Sequence, residues 1–133
     1  MYHILICDDE QDIVNALKIY LSNPDFKLFE ANTGLQALEV MAHEDIHLIL
    51  LDIMMPEMDG MEVLDRLAAM GVEAAVVMIS GHGDIQTAVE CIKKGAFDFI
   101  QKPLDLNRIL ITIKNATENQ CTVFGKKPGK IVE

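Results

Sequence analysis

Short, mostly apolar runs alternate along the chain with stretches whose apolar positions recur every three or four residues. The runs lie at residues 2–7, 26–31, 48–52, 74–79 and 97–100. Runs of this length and character suit strands buried on both faces of a parallel sheet. Between them, residues 11–22 carry Ile13, Leu17, Tyr20 and Leu21 at helical spacing. The segment opened by Asn32-Thr33-Gly34 does the same with Leu35, Leu38 and Met41, and residues 59–70 with Met61, Leu64, Leu67 and Ala68. Residues 84–94 predict a fourth helix capped by Asp84, with Ala88, Val89 and Ile92 apolar. A last helix starts at Asp105 and carries Leu106, Ile109, Leu110 and Ile113. Gly71 and Gly95 stand where the third and fourth helices should stop. Five strands alternating with five helices predict an α/β fold, a parallel sheet covered on both faces.

The stretch from Leu48 to Gly60 organises the rest: an apolar run rises to one carboxylate, Asp52, before Pro56 and Gly60 break the chain. Asp52 should stand at the carboxyl edge of a central strand, where open α/β sheets bind their ligands. The first run ends in Asp8-Asp9-Glu10, the fourth in Ser80-Gly81, and the fifth in Gln101-Lys102-Pro103. In a parallel sheet these ends share one edge. Carboxylates converging there repel one another and need a cation. Oxygen donors without His or Cys suit Mg²⁺ or Mn²⁺. Such a site invites a phosphoryl oxygen as a further ligand, with Lys102 balancing a second oxygen and the Ser80 hydroxyl donating to a third. Asp52 then becomes a nucleophile that takes the phosphoryl group as an acyl phosphate. One polar strand end is ordinary; acids, Ser and Lys-Pro at successive ends of one chain are not.

Charge and composition narrow the picture. A length of 133 residues suits one domain. Residues 1–92 hold 3 basic and 17 acidic side chains, and residues 93–133 hold 8 and 4. An acidic body argues against direct nucleic-acid binding. The basic last third reads as a docking surface or simply a solvated face. Cys7, Cys91 and Cys121 are too few and too far apart for a disulfide framework or a zinc site. No apolar run approaches the ~20 residues that cross a membrane, and no signal-peptide pattern opens the chain. The expectation is a cytoplasmic protein without a membrane contact. Residues 118–133 contain Gly, Pro and Lys without a helical period and read as a basic tail or linker remnant after a domain at 1–117.

With these motifs in place, residues 2–117 resemble the receiver domain of bacterial two-component response regulators. Asp8-Asp9, Asp52-x-x-Met55-Pro56-x-Met58-Asp59-Gly60, Ser80-Gly81 and Lys102-Pro103 stand in that family's order. Gly81-His82-Gly83-Asp84 and residues 94–99 are most similar to receivers of enhancer-binding transcription activators. The resemblance implies a flavodoxin-like (βα)5 three-layer sandwich with strand order 2-1-3-4-5. It implies that Asp52 accepts phosphate from a phosphohistidine on a sensor histidine kinase or phosphotransfer protein. Asp9 and Asp52 would bind Mg²⁺ (or Mn²⁺), with Asp8 acting directly or through water and the Met54 backbone carbonyl as a further ligand. Lys102 would contact the phosphoryl group, Ser80 would turn inward to bond it, and the Phe99 ring would follow. The face made by the fourth helix, fifth strand and fifth helix would then switch an output domain or partner, and two copies could pair through it. On this reading the chain is a phosphoacceptor switch, with only autophosphorylation and autodephosphorylation of its own.

Met54 stands where many receivers carry a polar residue. Its side chain cannot orient an attacking water, so slow autodephosphorylation is expected. His82 could overhang the pocket. The cluster of Met54, Met55, Met58 and Met61 reads as loop and core filling. Two other functions fit parts of the pattern. A haloacid-dehalogenase-like aspartyl phosphatase would need a second Asp where Met54 stands. A receiver that binds partners without phosphorylation would ordinarily lack one of the acids or the Lys, and all are present here.

Overall fold

The computed structural model describes residues 1–81 and 85–123, with side chains described through residue 117. Five strands, β1 (Tyr2–Cys7), β2 (Phe26–Ala31), β3 (Leu48–Asp52), β4 (Ala75–Ser80) and β5 (Asp98–Gln101), alternate with five helices. The helices are α1 (Gln11–Tyr20), α2 (Gly34–His43), α3 (Gly60–Ala69), α4 (Ile85–Lys93) and α5 (Leu106–Val123). All strand pairs are parallel, in the order β2-β1-β3-β4-β5. Residues 1–103 form one compact unit, and α5 belongs to a second.

The central position of β3 follows from its sequence. All five of its residues are buried, which only a strand apolar on both faces can satisfy. Leu5, Cys7, Ile49, Leu51, Val76 and Met78 line one sheet face with Ala37 and Met41 of α2 and Val63, Leu64 and Leu67 of α3. The alternate residues Ile4, Ile6, Leu48, Leu50, Val77 and Ile79 are also buried, as are Val14 and Leu17 of α1. Residues 1–103 therefore stack as helix, sheet and helix. Each fully buried Leu or Ile contributes about 1.5–3 kcal/mol.

Local signals set the helix starts. Thr33 Oγ1 accepts the Gln36 N–H at 3.1 Å, and Asp59 Oδ1 accepts the Glu62 N–H at 2.9 Å. Asp105 Oδ1 accepts the Asn107 N–H at 3.0 Å at the start of α5. Each satisfies an amide that the first turn leaves without a carbonyl. Gly71 and Gly95 take positive φ, 73° and 109°, as helix-ending residues do.

Several expectations shift. α1 ends at Tyr20, two residues short of the predicted stop, where the Leu21 N–H closes on the Leu17 carbonyl and the Ser22 N–H on the Ile19 carbonyl as a cap. β4 and β5 each start one residue later than predicted. Tyr20, Leu35, Ala68, Val89, Ile92 and Leu110, expected inside, are exposed. Val14, Ala37, Val63, Cys91 and Thr112 take the inward places instead. In α4 the small Cys91 marks the buried line, which turns the longer Val89 and Ile92 outward. Helical backbone continues six residues past 117, into the stretch read as having no helical period. The proposed cap Asp84, His82 and residues 124–133 lie outside the described residues.

Candidate functional site

The site is built at the carboxyl edge by register. Cys7 pairs with Leu51, so the next residues, Asp8 and Asp52, leave adjacent strands at the same level. Ser80 ends β4 opposite Gln101 of β5. The Ser80 carbonyl accepts the Lys102 N–H at 2.7 Å, which fixes where the Lys102 side chain departs. The chain after β1 is folded by the Asp8 carboxylate, which accepts the Glu10 N–H at 2.9 Å. Asn32 Nδ2 holds the same turn by donating to the Asp8 carbonyl at 3.2 Å.

One carboxylate oxygen each from Asp8, Asp9 and Asp52 lies within 4.8 Å of the others. Asp8 and Asp52 are both 2% exposed, whereas Asp9 is open to solvent. Lys102 Nζ stands 3.4 Å from Asp8 Oδ2, 3.4 Å from Asp52 Oδ1 and 3.6 Å from Glu10 Oε1. These are ion pairs longer than good hydrogen bonds. Asp52 Oδ1 is buried with no hydrogen-bond partner. An acceptor left so in a native protein calls for an explanation, and an incoming cation or phosphoryl group supplies one.

The electrostatics agree. Burial, then the neighbouring Asp8, push the Asp52 carboxyl up to about 6, against the pull of Lys102. Burial also raises Asp8. Burial alone would lower Lys102, but Asp52 and Asp8 outweigh it and hold the ammonium more firmly charged than usual. Beneath the acids, burial and then Asp8 push the Cys7 thiol up to about 12. Cys7 is therefore a neutral, inert floor.

The predicted residues separate into two groups. Asp8, Asp9, Asp52 and Lys102 converge. Ser80, 3% exposed, lies at the same strand edge. Phe99 lies back along β5 opposite Met78, partly buried against the core. Met54 turns its side chain outward, 61% exposed. Met55 and Met58 are core residues, and Met61 packs against the core. Glu10's approach to Lys102 and the Asn32 anchor were not singled out from sequence. Asn32 lies 24 residues from Asp8, and no spacing rule links them.

A five-stranded parallel sheet with an aspartate trio and one lysine at its carboxyl edge is the arrangement of a receiver domain. The chain belongs to the response regulator receiver domain family, whose model matches residues 4–114. It is similar to the nitrogen assimilation regulatory protein NtrX of Azorhizobium caulinodans, 40% identical over 119 residues, covering 88% of this chain and 26% of that one. The regulatory protein AtoC of Escherichia coli is 35% identical over 119 residues, covering 88% of this chain and 25% of that one. Among solved structures, the receiver domain of NtrX from Brucella abortus superposes with a TM-score of 0.80 at 38% identity. That match covers 86% of this chain and 98% of that one. A CheY-like receiver from Methanospirillum hungatei superposes with a TM-score of 0.86 at 27% identity, covering 92% and 98%. The chain thus spans about a quarter of the length of the curated relatives it matches. Among the described residues no helix is long and apolar enough to cross a membrane.

Proposed function

We propose that Asp52 accepts a phosphoryl group from a histidine-kinase or phosphotransfer phosphohistidine and that the chain relays this event to an output domain or partner. The observation that carries the reading is the buried Asp52 Oδ1, which makes no hydrogen bond and only a 3.4 Å ion pair with Lys102. Family membership supports it, as do relatives that are longer regulators. The three carboxylates fit a hard divalent cation such as Mg²⁺. Asp9 and Asp52 would hold it, with the Met54 carbonyl, and Asp8 would act directly or through water. Bound there, the cation would screen the charge between carboxylate and donor phosphate.

This chain's own residues do the rest. An Asp52 carboxylate oxygen attacks phosphorus in line, forming the O–P bond as the bond to the donor nitrogen breaks. The electron pair of that bond leaves with the donor imidazole. Lys102 moves from its shared contact with Asp8 and Asp52 onto a phosphoryl oxygen, and its charge offsets the negative charge there. Ser80 donates its hydroxyl to another. The turn of Ser80 and the inward movement of Phe99 would carry the change along β4 and β5 toward α4. The resemblance adds α5 to that face and allows two chains to pair there. Electrostatic events of this size bias two-state elements elsewhere. The chain has no substrate turnover beyond its own phosphorylation and dephosphorylation. With only an outward-turned thioether at Met54, two residues after the acceptor, to meet an attacking water, the acyl phosphate decays slowly.

Incubation with acetyl phosphate and Mg²⁺, followed by intact-mass measurement, tests the reading. One phosphoryl group should be gained, only with Mg²⁺, and none by Asp52→Ala. Continuous donor hydrolysis without a stable phosphoprotein would point to a phosphatase. No gain from acetyl phosphate or from a phosphorylated kinase would leave a phosphorylation-independent binding module.

A further inference from the structure

We infer that Gly60 is a positioning residue for the acceptor aspartate, an inference that rests on the function proposed above. Gly60 is the first residue of α3 and is buried. A Cβ built on it would stand 2.4 Å from the Asp52 carbonyl oxygen, 2.7 Å from Ile53 Cα and 3.0 Å from the Asp52 carbonyl carbon. All three are backbone atoms, so no side-chain rotation makes room. Only a residue without a Cβ lets two main chains approach this closely. The contact falls on the peptide unit of the acceptor itself.

The approach is locked from both sides. The Gly60 N–H donates to the Ile53 carbonyl at 2.8 Å, and the Ile53 N–H donates to the Ile79 carbonyl at 2.9 Å. Asp52 and Ile53 are thus held between the start of α3 and β4. The intervening loop has little freedom to absorb a shift. Its Met58 N–H closes on the Pro56 carbonyl at 2.8 Å, with Glu57 at a φ of 69°. Met58 packs closely on Gly34, where an added Cβ would lie 3.0 Å from Met58 Cβ. The backbone of Asp52 must therefore take up any displacement at Gly60. Its carboxylate would move relative to Lys102 and Asp8, which leave other strands. Misplacement of a reacting group by about an ångström costs on the order of 100-fold in rate.

The test compares wild type, Gly60→Ala and Asp59→Ala in phosphorylation by acetyl phosphate, with Mg²⁺ and donor each varied to saturation. Asp59→Ala removes the cap of the same helix but adds no atom against Asp52. Near-ultraviolet circular dichroism scales every rate to folded protein. Trimethylamine N-oxide is added to all three samples if the glycine variant needs it. Gly60→Ala should be slowed by about 100-fold at saturating Mg²⁺ and donor, while Asp59→Ala keeps the wild-type rate despite a lower melting temperature. A folded Gly60→Ala with the wild-type maximal rate overturns the inference. So does equal slowing of Asp59→Ala, which would make the effect one of helix stability. A Gly60→Ala protein that stays unfolded in the osmolyte also overturns it, because Gly60 is then required for folding and nothing more. If wild type itself gains no phosphoryl group, the proposed function fails first.

Discussion

Asp52 is a buried charge held at a cost. It is 2% exposed, its Oδ1 lacks a hydrogen bond, and burial and Asp8 penalise its charge. A carboxyl whose folded value is raised loses stability as pH rises through that value, here about 6, and the loss is complete above it. Asp52→Asn should therefore stabilise the chelator-treated protein at pH 8 by about 2–3 kcal/mol in urea unfolding; equal or lower stability would contradict this account of the site. Stability given up at a functional site is a familiar exchange. His47 works in the opposite sense at the start of β1. Its Nδ1 accepts the His3 N–H at 2.8 Å, and Tyr2 stacks on its ring at 5.0 Å. Burial lowers its affinity for a proton, with His3 and the N-terminus adding to the effect and Asp45 opposing it. A depressed histidine contributes stability that is present above the unfolded value, near 6.5. That contribution is lost as pH falls toward the folded one. His47→Asn keeps an acceptor without titrating in this range. Its stability should fall less than that of wild type between pH 7.5 and pH 5; an identical slope would remove His47 from the explanation.

Among the elements, the β3–α3 loop is tightly constrained. Glu57 lies at a φ of 69°, in a γ-turn closed by Met58 and Pro56. A non-glycine residue held there costs on the order of 1 kcal/mol or more. Glu57→Gly should accordingly raise stability by about 1 kcal/mol, measured by thermal or urea unfolding, and a clear loss would show that the turn is not strained. The strands were the most legible elements because burial on both faces writes a continuous apolar run, as in Leu48–Leu51. The helix faces were less legible. Leu35 and Ala37 are two positions apart in α2, and the larger residue is the one left outside. Apolar periodicity alone does not reveal that a small residue sets the line of close approach. In α4, Cys91 plays that part while Ile85, Val89 and Ile92 face outward.

At the scale of the whole molecule, the acid site was legible because parallel topology carries successive strand ends to one edge. Asp8, Asp52 and Lys102 meet there although they come from three strand ends far apart in sequence. What supports them was not legible in advance. Asn32 at the Asp8 carbonyl and Gly60 against the Asp52 peptide act through backbone geometry, which no side-chain pattern announces. The strongly acidic stretch 1–92 gathers its buried charge around one lysine, so a single phosphoryl transfer changes the balance of the whole edge. The claim that Asp52 is the atom-bearing acceptor is tested most directly by chemical trapping. An acyl phosphate is reduced by borohydride to an alcohol, which converts the aspartate to homoserine. Protein phosphorylated with acetyl phosphate and Mg²⁺, reduced and digested, should yield homoserine at position 52 in peptide mass spectrometry. Homoserine at Asp8 or Asp9 instead, or phosphate retained on another residue with position 52 unmodified, would contradict the account.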